Sequence, residues 1–207
     1  MNFRRPEPIM KSKIITKKYF KDGKLLTGFS LIEMLAVIFI ISVLSAVIIA
    51  NFGDIREQLA LRRATHQFVQ DLRRAQEMAM SSKQAEGCTL PAKGYGIYVD
   101  ILTDNKSYKL YADTAADDSG EWEYYTLSDC IVETINIEEK GVIIKEINNI
   151  EGGAQMISIN FKPPNPNINI KWLQSDKNEV EIVLALEKNP DKTKTIAVNK
   201  AGMIEIK

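Results

Sequence analysis

Three regimes of hydrophobic patterning follow one another along the 207 residues of the chain. From Phe29 to Phe52 nearly every residue is Leu, Ile, Val, Ala, Phe or Met. Ser30, Ser42, Ser45 and Asn51 are small polar interruptions, and Glu33 is the one charge. As a helix this stretch reaches roughly 36 Å, enough to cross a hydrocarbon core of about 30 Å. The pattern then turns amphipathic. Leu61, Thr65, Phe68, Leu72, Ala75 and Ala79 recur every three or four positions, whereas Arg62, Arg63, Gln67, Gln70, Arg73, Arg74 and Glu77 lie largely off that stripe. One helix from Phe29 to about Ser82 is predicted, apolar all round in its first half and one-sided in its second. Gly53 is its weak point, at roughly 1 kcal/mol relative to Ala.

Beyond residue 82 the period changes to two. Strands are expected over residues 95–101, 107–112, 131–137, 142–147, 156–161, 168–172, 180–186, 195–198 and 203–206. Connectors are expected at Asp104-Asn105, Glu151-Gly152-Gly153, Pro163-Pro164-Asn165-Pro166, Asn189-Pro190-Asp191 and Lys200-Ala201-Gly202. The proline cluster suits only a rigid loop or a sheet edge. Short strands with short connectors give an antiparallel, β-rich head leaning on the helix, an α+β fold. The expected divisions are residues 1–28, 29–52, 53–82 and a head at 83–207 of about 125 residues, long enough for its own core.

Charge adds a direction. The chain holds 27 basic and 27 acidic side chains, but residues 1–28 carry eight Lys or Arg against Glu7 and Asp22. Taking those away, 27 less 8 leaves 19 basic and 27 less 2 leaves 25 acidic residues in the remainder. A basic flank stays cytoplasmic, so residues 1–28 are expected inside, with the acidic remainder exported as the head of a single-pass membrane protein. An acidic exported part disfavours phosphate-backbone binding as the main activity. Ordinary signal peptides have apolar cores of only about 7–15 residues and end in a small-x-small site. This run is longer, and Leu44 and Ile48 stand where Ala46 and Ala50 would need small partners.

The junction Gly28-Phe29-Ser30-Leu31-Ile32-Glu33, with the apolar run behind it, resembles the type IV prepilin signal. The resemblance implies a prepilin peptidase that cuts between Gly28 and Phe29 and methylates the new amine of Phe29. It implies that Glu33 neutralises the N-terminal amine of a neighbouring subunit during assembly, a role consistent with the cost of a lone charge in lipid. The segment from Asp71 to Ala79 resembles the end of the first helix in the pseudopilin H and FimT-type minor pilins. The likeness then loosens through Gly94–Tyr98, Thr195–Asn199 and Gly202. Any helix rich in Arg and Ala offers a plain structural alternative. Pilins commonly carry a Gly and then a Pro in the apolar run. Here Ser42 and Ala50 stand there, so no proline kink is expected, and the leader is longer than usual.

Cys88 and Cys130 lie in the exported part, where disulfides persist. A bridge between them would join the end of the helix to a strand start and contribute about 2–4 kcal/mol; two free thiols are the alternative. Asp113, Asp117, Asp118 and Glu121 form an acidic loop and a weak Ca²⁺ candidate. Their spacing departs from the Asp-x-Asp-x-Asp-Gly loop, so a solvated charge run is the simpler reading. His66 is the only histidine and sits on the helix as a surface or packing residue.

No nucleophile elbow, phosphate loop, zinc pattern or paired catalytic carboxylate is visible, so neither an enzyme nor a cofactor is expected. The expected function is a structural minor pilin or pseudopilin subunit of a type IV pilus-like or type II secretion filament. Its expected partners are prepilin peptidase, other pilin or pseudopilin subunits and a membrane platform protein. A pilin-like DNA receptor for transformation is a second reading. Lys162, Lys171, Lys188, Lys192, Lys194, Lys200 and Lys207 are scattered and offset by acids, so no nucleic-acid partner is expected. A third is a signal-anchored surface binding protein that never enters a filament.

Overall fold

The computed structural model describes residues 28–81, 84, 85, 87, 88, 91–114, 129–150, 153–163, 168–172 and 175–207. Helix α1 runs from Leu31 to Met80. Ser30 caps it, its Oγ accepting the N–H of Glu33 at 3.2 Å and so satisfying a donor that has no partner inside the helix. At the other end the N–H of Ser81 bonds the carbonyl of Glu77 at 2.9 Å, and the Ser81 hydroxyl donates to the Met78 carbonyl. The expected end at Ser82 falls outside the described residues.

The chain divides into two compact units, Met1–Ala46 and Val47–Lys207. In the first, the described part is Gly28 to Ala46 and every residue of it is exposed. Its hydroxyls are self-sufficient in part: Ser42 Oγ donates to the Ile38 carbonyl at 2.7 Å, leaving that group no need of water.

The second unit sets the amphipathic part of α1 on two antiparallel sheets. Ten strands follow the helix: β1 Gly94–Asp100, β2 Ser107–Asp113, β3 Cys130–Asn136, β4 Val142–Asn148, β5 Met156–Phe161, β6 Ile168–Trp172, β7 Ser175–Lys177, β8 Glu179–Leu186, β9 Asn189–Asn199 and β10 Ile204–Ile206. One sheet has the order β3-β2-β1-β5-β6-β7 and the other β10-β9-β8-β4. The architecture is α+β. Leu61, Phe68, Leu72, Ala75 and Ala79 of the helix share one core with Ile97, Leu110 and Ile159 of the first sheet and Ile144, Ile182 and Val198 of the second. The buried hydroxyl of Thr65, within that stripe, is bonded back to the Leu61 carbonyl at 2.7 Å.

Period-two patterning fixes which faces turn inward: Tyr95, Ile97 and Val99 on β1, and Ile157, Ile159 and Phe161 on β5. Strand β4 breaks the alternation, burying Val142, Ile144 and then Ile147. Its pairing with β8 shifts register between Ile144 and Glu146, and the extra residue moves the strand from one phase to the other.

Two elements differ from the expected connectors and strands. Asn189-Pro190-Asp191 is not a connector but the start of β9, and the turn is made by Glu187 and Lys188. Leu186 pairs with Asn189 and Ala185 with Thr193, so Pro190 falls among residues bulged out of the ladder, where a missing N–H costs no bond. Strand β7, a three-residue edge, had no predicted counterpart. Of the proline cluster, Pro163 lies in a bend, and the rest lies outside the described residues.

Candidate functional site: the helix start and its apolar arc

Gly28, Phe29 and Ser30 precede the helix, and Glu33 is its third residue. Phe29 is 76% exposed, and Leu31–Ile49, with a mean hydropathy of 2.8, has none of its residues buried. This is the one helix among the described residues long and apolar enough to cross a membrane. A soluble protein does not leave so large an apolar surface uncovered; such a surface marks a contact with lipid or with other chains.

The pairing of Ser30 with Glu33 gives the acidic residue a second reading that sequence inspection passed over. Ser-x-x-Glu is the signature of a helix N-terminus, and an acid in the first turn suits the positive end of the helix dipole. The Ser30 cap takes the backbone N–H of residue 33, and the reciprocal half of a capping box would need only a polar side chain there. Neutralising an amine from another chain needs a charge there. Gln separates the two.

In the second unit, ion pairs and one aromatic lock seat the helix on the sheets. Tyr108 of β2 meets Phe68 edge to face at 4.6 Å between ring centroids, and its hydroxyl donates to Asp71 Oδ2 at 2.6 Å. Burial raises the Asp71 carboxyl above its ordinary range, while the Tyr108 bond pulls the other way. Burial, and then the Asp71 carboxylate, push the Tyr108 phenol well up. Arg74 reaches Glu133 at 2.7 Å, Arg63 reaches Glu139 at 3.6 Å and Lys192 of β9 reaches Asp54 at 3.2 Å. These are exposed pairs worth about 0–1 kcal/mol each, so they orient the helix more than they hold it. His66 is exposed.

Cys88 and Cys130 are joined, with Cα atoms 5.9 Å apart, 42 residues apart in sequence. The bridge ties the segment after the helix to the first residue of β3. The acidic loop needs correction. Asp113 is no loop residue: it ends β2, is 1% exposed and accepts from Asn160 Nδ2 at 3.4 Å. Asp117, Asp118 and Glu121 lie outside the described residues. Among the described residues no three His, Cys, Asp or Glu side chains cluster with metal-binding geometry.

Asp113 belongs instead to a buried polar cluster on the face of the six-stranded sheet turned away from Leu110. The Tyr111 hydroxyl lies 2.5 Å from Ser158 Oγ and accepts from Asn160 Nδ2 at 3.1 Å. Its ring lies over Gly96, where a Cβ would fall 2.6 Å from ring atoms, so glycine is required there by close approach. Burial pushes the Tyr111 phenol up, against the bonds from Ser158 and Asn160. No sequence signal marked this cluster, because polar residues at alternate strand positions read as a solvent face.

No protein-family model matches the chain, and no curated protein matches it. Among solved structures, the type IV minor pilin FimU of Pseudomonas aeruginosa (strain PAO1) is similar over 71% of this chain and 87% of that one. The identity is 13% and the TM-score 0.43.

Proposed function

We propose that this chain is a prepilin-type structural subunit, a minor pilin or pseudopilin with no enzymatic activity of its own. A prepilin peptidase cuts between Gly28 and Phe29 and methylates the Phe29 amine. The product rests in the membrane by residues 29–52, head outside, until an assembly ATPase and a platform protein draw it into a type IV pilus-like or type II secretion filament. There its apolar helix exchanges lipid for the helices of neighbouring subunits, and Glu33 meets the N-terminal amine of one of them.

The observation that carries this reading is the wholly exposed apolar helix of Leu31–Ile49, led by Gly28-Phe29 and holding Glu33 as its one charge. The decisive experiment is mass spectrometry of the N-terminal peptide from protein in its own membranes. N-methyl-Phe29 is expected. An intact Met1 leader would make the chain a signal-anchored surface protein and remove the assembly role from Glu33.

The charge itself is tested by Glu33→Gln, which keeps a polar group in the first turn. Cleavage of that variant is expected to proceed while incorporation into filaments is lost. Normal incorporation would leave Glu33 as a capping residue only.

A further inference from the structure

The apolar surface of α1 does not stop where the membrane-length segment ends at Ile49. Within the second unit Phe52, Ile55 and Leu59 remain 46%, 50% and 43% exposed. At about 100° per residue, Phe52, Ile55, Arg56, Leu59, Arg62 and Arg63 fall on one arc, within about 60° either side of Leu59. Every position of residues 52–63 on that arc is apolar or arginine. The two acids of the same turns, Asp54 and Glu57, lie about 140° and 160° away from Leu59. Asp54 is engaged there by Lys192.

The arginines are placed differently from one another. Arg56 lies over the Phe52 ring, 4.4 Å from its centroid, so its charge travels with an exposed aromatic. Arg63 is shared with Glu139, and Arg62 has no acidic partner among the described residues. Counting from Ile49 at 1.5 Å per residue, Phe52 lies about 4 Å and Arg56 about 10 Å further along the helix, whereas Leu59 and Arg62 lie about 15 Å and 20 Å out. The headgroup layer extends roughly 5–8 Å beyond each side of the hydrocarbon. Aromatic rings settle in that layer, and arginine stems run along apolar surface while their heads reach phosphate.

We propose that the near end of this arc, Phe52, Ile55 and Arg56, is a bilayer-interface contact that takes the phosphates of anionic phospholipid. It rests on the membrane-anchored reading above. Its effect is to hold the second unit against an acidic lipid surface before extraction, despite that unit's excess of acidic side chains. The arc's arginines also offset Glu57, Glu138 and Glu139, which line a cavity beside Arg56, Leu59 and Arg63.

The test uses the full chain in vesicles, with a nitroxide on a single added thiol, since the native cysteines are joined to each other. The label is placed at Ile55→Cys, and at Ile41→Cys as a depth reference, in phosphatidylcholine with and without phosphatidylglycerol. The Ile41→Cys label is expected to stay inaccessible to a water-soluble nickel relaxer in both. At Ile55→Cys, nickel access is expected to fall when phosphatidylglycerol is present. Arg56→Gln is expected to restore it by about fivefold, and Arg62→Gln, beyond the headgroup layer, to leave it unchanged. A water-accessible Ile41→Cys label would overturn the anchored reading and this contact with it. An Ile55→Cys label unaffected by phosphatidylglycerol, with Ile41→Cys still in lipid, would overturn the contact alone. Protection that follows protein density and ignores lipid charge would also overturn it, assigning the arc to a second copy.

Discussion

Leu31–Ile49 and residues 61–79 are equal lengths of the same helix with opposite fates. In the first, the large apolar side chains are 45–82% exposed. In the second, Leu61, Ala64, Thr65, Phe68, Val69, Leu72, Ala75 and Ala79 are all 6% exposed or less. The difference lies in arrangement more than in hydrophobicity. Apolar residues on every side leave no face for the sheets to select, and the segment needs a surrounding solvent of lipid or other helices. Apolar residues on one side define a partner within the chain, and the arginines on the other side keep that half in water.

The comparison is broken most directly by deleting one large apolar side chain from each half. Phe68→Ala is expected to destabilise the second unit by about 3–5 kcal/mol, read as a lower denaturation midpoint of the full chain in detergent. Ile41→Ala is expected to leave that midpoint unchanged, and a comparable loss there would mean that the first segment shares the core of the second. The covalent tie gives the next largest effect. Replacing both cysteines, Cys88→Ser with Cys130→Ser, is expected to cost about 2–4 kcal/mol, matched by adding reductant to the unaltered chain.

Asp71 sharpens the contrast through pH. Its carboxyl is raised above its ordinary 3.8 by burial where α1 meets β2. The folded chain therefore keeps that proton to higher pH than the unfolded chain. The stabilisation is complete below 3.8 and is lost as pH rises through the folded value. Asp71→Asn should remove this decline, a difference below about 1 kcal/mol once solvent screening is allowed for. Denaturation curves of both chains on either side of that window check it. The smallest effect belongs to Gly53, where an added Cβ meets nothing within 4 Å. Gly53→Ala should raise helicity and stabilise by at most about 1 kcal/mol, read by circular dichroism of the full chain.

These contrasts also explain what could be seen in advance. The six stripe positions from Leu61 to Ala79 were legible because a helix against a sheet imposes a strict period, and all six are buried. The strands at 156–161 and 168–172 were legible for the same reason, with periods of two and clear breakers beside them. The β8–β9 turn was misplaced because Asn-Pro-Asp carries the strongest local turn signal, whereas the pairing of Leu186 with Asn189 is decided by the neighbouring strand. Asp113 misled in another way. Its sequence neighbours are acidic, but its burial comes from the sheet face it shares with Tyr111 of its own strand and Asn160 of β5, 47 residues on in the chain. The residues of the proposed site were all named beforehand, because a Gly-Phe junction and an uncovered apolar helix are local in sequence. The serine cap was overlooked although its spacing is equally local.

The bridge between Cys88 and Cys130 has a mechanical consequence. If the chain is pulled by its ends, tension passes from Cys88 directly to Cys130 and bypasses β1 and β2. The 42-residue separation withholds roughly 140 Å of contour from any stretched state. A chain under tension thus has a shorter tether, and strands β1 and β2 bear no end-to-end load until the sulfurs part.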